Sequence, residues 1–197
     1  MKIFAALLLL TTACLVADDQ PTNQSTKLIR DRFSKTYTIE YPGGTIVSPG
    51  EGEKMKHHMQ VKFTAFMVLN EAILPSDPIV SLVFKIRRFA EIWRYETVCK
   101  MLLDGNVIDL PIVVAKVPTS EAGIVEEKAM ILLNAKQAAA FLESKECAFK
   151  IGRDEFDVLP VARKPASEVI ARFRSELAAG TFNDLLPSKE KGKIQGK

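Results

Sequence analysis

Histidine is nearly absent from this chain, with two in 197 residues. A Ser-His-Asp or Cys-His hydrolase would need one of those two as its base, and no G-x-S-x-G elbow or recognisable catalytic cysteine signature accompanies them. The sequence also lacks H-E-x-x-H, paired C-x-x-C, G-x-x-x-x-G-K-[ST] and G-x-G-x-x-G motifs. Zinc peptidase, structural zinc, P-loop and dinucleotide readings therefore lose their usual support, and no cofactor is expected. An excess of one charge is missing too. Lys plus Arg number 27 against 24 Asp plus Glu, a surplus too small to point to nucleic acid or an acidic membrane.

Long apolar runs are absent except at the N-terminus. Met1-Lys2 is a short positive region, Ile3 to Leu10 is unbroken apolar sequence, and small residues then lead to Asp18-Asp19. That order reads as a secretory signal, and the run is well short of the roughly 20 residues needed to span a bilayer. The expectation is an extracytoplasmic protein, periplasmic or secreted, without a transmembrane helix. Cleavage after Ala17 would start the mature chain at Asp18. Cleavage before Cys14 is the alternative; it would resemble a bacterial lipoprotein signal and leave a lipid anchor. Thr11 at the third position before Cys14, where Leu is usual, and the early position of that cysteine favour Ala17.

Cysteine is scarce as well. Removing residues 1–17 leaves only Cys99 and Cys147, in a compartment where disulfides persist. They could be bridged. Both fall on apolar strand faces, Cys99 with Met101 and Cys147 with Phe149 and Ile151, which favours packing as small hydrophobes.

What is present is a globular composition, 47% apolar and 26% charged, sufficient for one domain. Residues 1–17 are assigned to the signal, 18–35 to a flexible segment, 36–186 to one β-rich domain and 187–197 to a disordered basic tail. Thr36 to Tyr41 alternates apolar and polar residues, as do Met59 to Leu69, a long strand expected to begin near His58, and Ile79 to Arg88, with Ser48 to Lys56 as a loop between the first two. Asp104-Gly105 predicts a tight hairpin between Thr97–Leu103 and Val107–Val117, and Pro111 favours an edge or a bulge. Ile124 to Leu133 is a further strand. Asn134 and Gln137 then form a capping box for a helix bearing Ala138, Phe141 and Leu142. A hairpin over Glu146 to Leu159, turning at Gly152-Arg153-Asp154, precedes a helix opened by Pro165 and stopped by Gly180, with Val169, Ile170, Phe173 and Leu177 on one face. The class is α+β: a predominantly antiparallel sheet or sandwich with two short C-terminal helices.

Trp93 ahead of the strand ending in Asp104-Gly105, the helix LLNAKQAAAFL and the hairpin FKIGRDEFDVL followed by a helix resemble a loose group of small exported bacterial proteins without an assigned activity. The resemblance covers about residues 79–178. It implies the fold and no reaction.

Three stretches carry candidate chemistry. Met55, His57, His58 and Met59 offer imidazole and thioether ligands suited to copper, but on a strand His57 and His58 point to opposite faces. Asp154, Glu155 and Asp157 cluster at the last hairpin. Glu155 and Asp157 share a face and Asp154 is expected in the turn; a carboxylate-based hydrolase would need such acids at a set separation. Arg87, Arg88, Trp93 and Arg94 interleave cations with an aromatic ring, as a partner surface for a protein or glycan would; the structural alternative makes Trp93 a core anchor. With no concentrated catalytic set, the expected role is a non-catalytic binding or interaction module with an envelope or extracellular partner.

Overall fold

A computed structural model describes residues 26–31, 33–49, 61–70, 73, 78–88, 93, 95–117 and 124–185. Its strands are β1 (Lys27–Asp31), β2 (Thr36–Glu40), β3 (Thr45–Pro49), β4 (Val61–Leu69), β5 (Ile79–Arg88), β6 (Val98–Leu103), β7 (Asn106–Val117), β8 (Val125–Asn134), β9 (Cys147–Ile151) and β10 (Asp154–Asp157). Helix α1 (Ala135–Glu143) separates β8 from β9. A 3-10 turn, Pro160–Arg163, leads from β10 into α2 (Lys164–Ala178). The α+β class with a dominant antiparallel sheet and two C-terminal helices is therefore the observed one.

The sheet closes on itself. One edge of β4 pairs with β5, and its other edge is shared, Phe66–Leu69 by β2 and Val61–Phe63 by β3. From β5 the ladder continues through β8, β7, β6, β9 and β10, and β10 returns to β3, with every pairing antiparallel. These eight strands form a ring; β1 and β2 extend it outward from β4. Two strands make the corners. In β7, residues up to Pro111 pair with β6 and residues from Ile112 pair with β8, so proline stands where the strand changes partner and a missing ladder donor is tolerated. In β3, Thr45–Val47 pair with β4, whereas Ser48 and Pro49 pair with β10.

Alternation selects the lumen. Val61, Phe63, Ala65, Met67 and Leu69 of β4 are all buried, and register sets Phe63 beside Phe84, Phe84 beside Ala129 and Ala129 beside Val114. Aromatic rings fill the space. Phe84 lies 5.2 Å from Phe63, 5.0 Å from Phe149 and 5.8 Å from Phe156, centroid to centroid. At one end of this column Phe156 meets Trp93 edge-on at 5.8 Å; at the other, Phe63 and Phe149 reach Phe141 of α1. The barrel is thus a packed core rather than a container.

The local signals read from the sequence are realised. Asp104 and Gly105 adopt φ of 47° and 84° in a two-residue hairpin closed by Leu103 and Asn106. Asn134 Oδ1 accepts from the Gln137 backbone N–H at 2.9 Å while Gln137 Oε1 accepts from the Asn134 N–H at 3.0 Å, fixing where β8 becomes α1. Arg163 holds the far end of that helix: its guanidinium donates to the carbonyls of Phe141, Ser144 and Val158 and lies 5.5 Å over the Phe141 ring. A buried cation there satisfies orphan C-terminal carbonyls and faces the negative end of the helix dipole. In α2, Val169 and Phe173 are buried, and Phe173 stacks on Phe182, which meets Tyr37 of β2 edge-on.

Three expectations about local structure are corrected. Residues 18–35 are not flexible throughout, because Lys27–Asp31 form β1 against β2. Ser48 and Pro49, expected in a loop, belong to β3. Asp154 is not in the hairpin turn; Gly152 and Arg153 alone make it, and Asp154 pairs with Ile151 as the first residue of β10. Gly152, at φ +59°, is needed twice over, because a Cβ there would also sit 2.6 Å from Glu96 Oε1.

Candidate functional site

Two acids occupy inward positions at one mouth of the barrel. Glu127 stands in register between Ile86 of β5 and Lys116 of β7, and is 1% exposed. Asp154, at the start of β10, is also buried. A single residue from the connector between β5 and β6 joins them: the Trp93 backbone N–H donates to Glu127 Oε1 at 2.9 Å, and its indole Nε1–H donates to Asp154 Oδ2 at 2.6 Å. Burying a carboxylate is costly unless it accepts hydrogen bonds, and Trp93 supplies one to each while capping the aromatic column. These acids brace the lid of the barrel.

That arrangement overturns part of the partner surface read from the sequence. Trp93 is fully buried, so it cannot offer a face for stacking, and the structural alternative holds. Arg87 is exposed near the end of β5, opposite Glu126. The Arg88 side chain and Arg94 lie outside the described residues, as do Met55, His57, His58, Met59, Cys14, Ala17 and Asp18. The hairpin acids diverge. Asp154 faces inward to Trp93 with Phe156 on the same face, whereas Glu155 and Asp157 share the outer face of β10, with Glu155 3.7 Å from Lys150. Among the described residues no group of three or more potential ligands could hold a metal ion.

Cys99 and Cys147 are free and buried, which corrects the bridge alternative. Their strands explain it: Cys147 is opposite Leu103, four residues from Cys99 and roughly 13 Å along the strand, too far for a disulfide. Burial pushes both thiols up to about 12, so neither is a nucleophile near neutrality. Above about pH 9, unfolded thiols release protons that the folded ones keep, and stability falls as pH rises toward 12. The expected loss is on the order of 2 kcal/mol per thiol by about pH 10.5. Urea midpoints at pH 8 and 10.5 check this against a Cys99→Ala, Cys147→Ala variant, whose decline should be visibly shallower.

The outer face carries an unusual row. Lys62, Lys85 and Lys128 stand side by side across β4, β5 and β8. Glu126 Oε2 takes Lys85 at 3.1 Å, and Glu126 Oε1 is 3.8 Å from Lys128 Nζ, which is buried without a hydrogen-bond partner among the described residues. Burial, then the neighbouring Lys85, holds the Lys128 pKa below its usual value, with Glu126 opposing. The cost of that ammonium exceeds what its long contact returns. Lys128→Met is expected to raise stability by about 1 kcal/mol, read as a higher urea midpoint with unchanged m-value. No gain would show that the ammonium is solvated or paired in solution.

The remaining feature is an edge. Among the described residues β1 pairs with β2 alone, and four of its five residues are exposed. Ile29 is 44% exposed, and Phe33, in the turn that follows, projects entirely into solvent. Below Arg30 the strand is held down: its guanidinium pairs with Asp184 at 2.8 Å and lies over the Tyr37 ring, whose hydroxyl donates to Asp184. Sequence reasoning missed this strand because only Leu28 and Arg30 of its five side chains face the body of the protein.

Fold and surface together define a class: a closed antiparallel β-barrel with an aromatic-filled lumen, a helical cover at one end and one projecting hairpin whose outer edge is unpaired among the described residues. No helix among the described residues is long and apolar enough to cross a membrane. No family model, curated protein or solved structure matches the chain.

Proposed function

We propose that the chain is a non-catalytic binding module, exported through its N-terminal signal, that engages an envelope or extracellular protein by strand addition at β1. The observation that carries this reading is the one-sided pairing of β1, with Ile29 on it and Phe33 beyond it both facing solvent. Natural sheets guard such edges with charge, cover or shortness; here the guard is partial, and an apolar pair marks the place where a partner strand would seat. The filled lumen supports the same reading, since the inward acids Glu127 and Asp154 are engaged by Trp93.

Affinity capture of the mature protein from its own envelope, with metal content measured on the same sample, tests the proposal. Ile29→Lys with Phe33→Lys is expected to abolish specific capture while leaving the circular dichroism spectrum unchanged. Capture that survives both substitutions would overturn strand addition at this edge.

A further inference from the structure

We infer that the partner of the β1 edge is a second copy of this chain, joined antiparallel with Ile29 opposite Ile29 of the other copy. The inference rests on the strand-addition reading above and names its occupant. β1 reads Lys27-Leu28-Ile29-Arg30-Asp31, and this order is self-complementary about its centre. In the symmetric antiparallel register each Lys27 faces Asp31 of the other copy, each Leu28 faces Arg30, and the two Ile29 side chains meet. Opposite charges directly across a ladder stabilise it, and like charges oppose it. A parallel arrangement would set Lys27 on Lys27, Arg30 on Arg30 and Asp31 on Asp31. Sliding the antiparallel register by two residues one way sets Arg30 against itself; sliding it the other way leaves the charged ends without each other.

The groups are already disposed for this pairing. Lys27, Ile29 and Asp31 share one face of β1, set by their register with Glu40, Thr38 and Thr36 of β2. Lys27 is exposed and makes no ion pair among the described residues. Asp31 is fixed by its own turn: Oδ1 accepts from the Phe33 N–H at 2.9 Å and Oδ2 from Ser34 Oγ at 2.6 Å, bonds that hold its carboxyl below the usual range and keep it ionised. Arg30 needs no acid from the second copy, because Asp184 neutralises it at 2.8 Å, so its place opposite an aliphatic Leu28 carries no unmet charge. The resulting interface is isologous, the same strand contributing both sides.

Sedimentation velocity and oxidative crosslinking of the mature protein test the inference. The wild type is expected to dimerise, and Lys27→Asp or Asp31→Lys alone to weaken the dimer about tenfold or more, as two cross-strand pairs turn repulsive. Mixing the two variants should restore a one-to-one dimer, because every charge then meets its opposite. Asp31→Lys also removes the turn bonds, so a second readout is needed. Ile29→Cys should crosslink to itself on mild oxidation, and Lys27→Cys, which faces residue 31 of the other copy, should not. A wild type that stays monomeric, a mixture that does not associate, or equal crosslinking at both positions would overturn the inference. If the wild type is monomeric and envelope capture still depends on Ile29 and Phe33, strand addition stands with a different occupant. If the dimer forms and capture ignores those residues, the functional reading fails and the self-pairing stands.

Discussion

Phe84→Ala is expected to lower the free energy of unfolding by about 3–5 kcal/mol, the range for deleting a buried aromatic side chain. Its position argues for the upper part of that range. Phe84 is fully buried and touches Phe63, Phe149 and Phe156 at once, so it links strands β4, β9 and β10 across the lumen. A ring of strands cannot collapse inward to fill the resulting void without breaking its ladders, and the cavity term therefore persists. Urea unfolding at neutral pH measures the loss. Val107→Ala, on an exposed position of β7, serves as the control and should change stability by no more than about 0.5 kcal/mol. A loss at Phe84 no larger than that control would mean the lumen is loosely filled.

Trp93 gives the second large effect, and two substitutions separate its parts. Trp93→Phe keeps most of the ring but deletes the indole donor to Asp154, with an expected cost of about 1–3 kcal/mol for the weakened buried acceptor. Trp93→Ala adds the loss of a fully buried side chain and the edge-on contact with Phe156, bringing the expected total to about 4 kcal/mol or more. Because the chain has one tryptophan, its fluorescence reports on this mouth alone. Emission should be blue-shifted in the native protein and move to the red in the same transition as the loss of β-sheet signal. A red shift at lower urea would show the lid opening before the barrel. Equal stability of Trp93→Phe and the wild type would mean the indole bond to Asp154 contributes nothing.

Much of the local architecture was legible because its causes are local. Asp104-Gly105 can supply two successive positive φ values; Asn134 and Gln137 cap a helix reciprocally; the five alternating apolar residues of β4 allow only one buried face. The less legible parts depend on distant partners. β1 exposes most of its residues and exists because β2 offers it an edge, which no pattern within Lys27–Asp31 announces. Asp154 looked like a turn residue because acids are common in turns, yet Trp93, 61 residues away in sequence, draws it inward. Glu127 is similar: its parity with Ala129, Ile131 and Leu133 marks it as inward, but a charged residue at that parity has an explanation only once the Trp93 N–H is placed beside it. Of the candidate site, the exposed Arg87 near the end of β5 was readable and the edge of β1 was not. A solitary tryptophan among cations suits a core anchor and a stacking surface equally well; its bonds to two acids from distant strands decide for the core.

The corner strand β3 joins Val47 to Val61 of β4 and Pro49 to Phe156 of β10, so the ring is sealed by segments from opposite ends of the described chain. A chain that emerges N-terminus first cannot complete this seam until residue 157 is available. Until then β3 and β9 are both open margins, and Phe84 and Trp93 lack their neighbour Phe156. High contact order of this kind slows folding and prolongs the time during which unpaired margins can meet those of other molecules. Any cut that removes residues 154–157 should leave a strip of sheet rather than a smaller barrel. The arrival of β10 is therefore the event that ends this exposure.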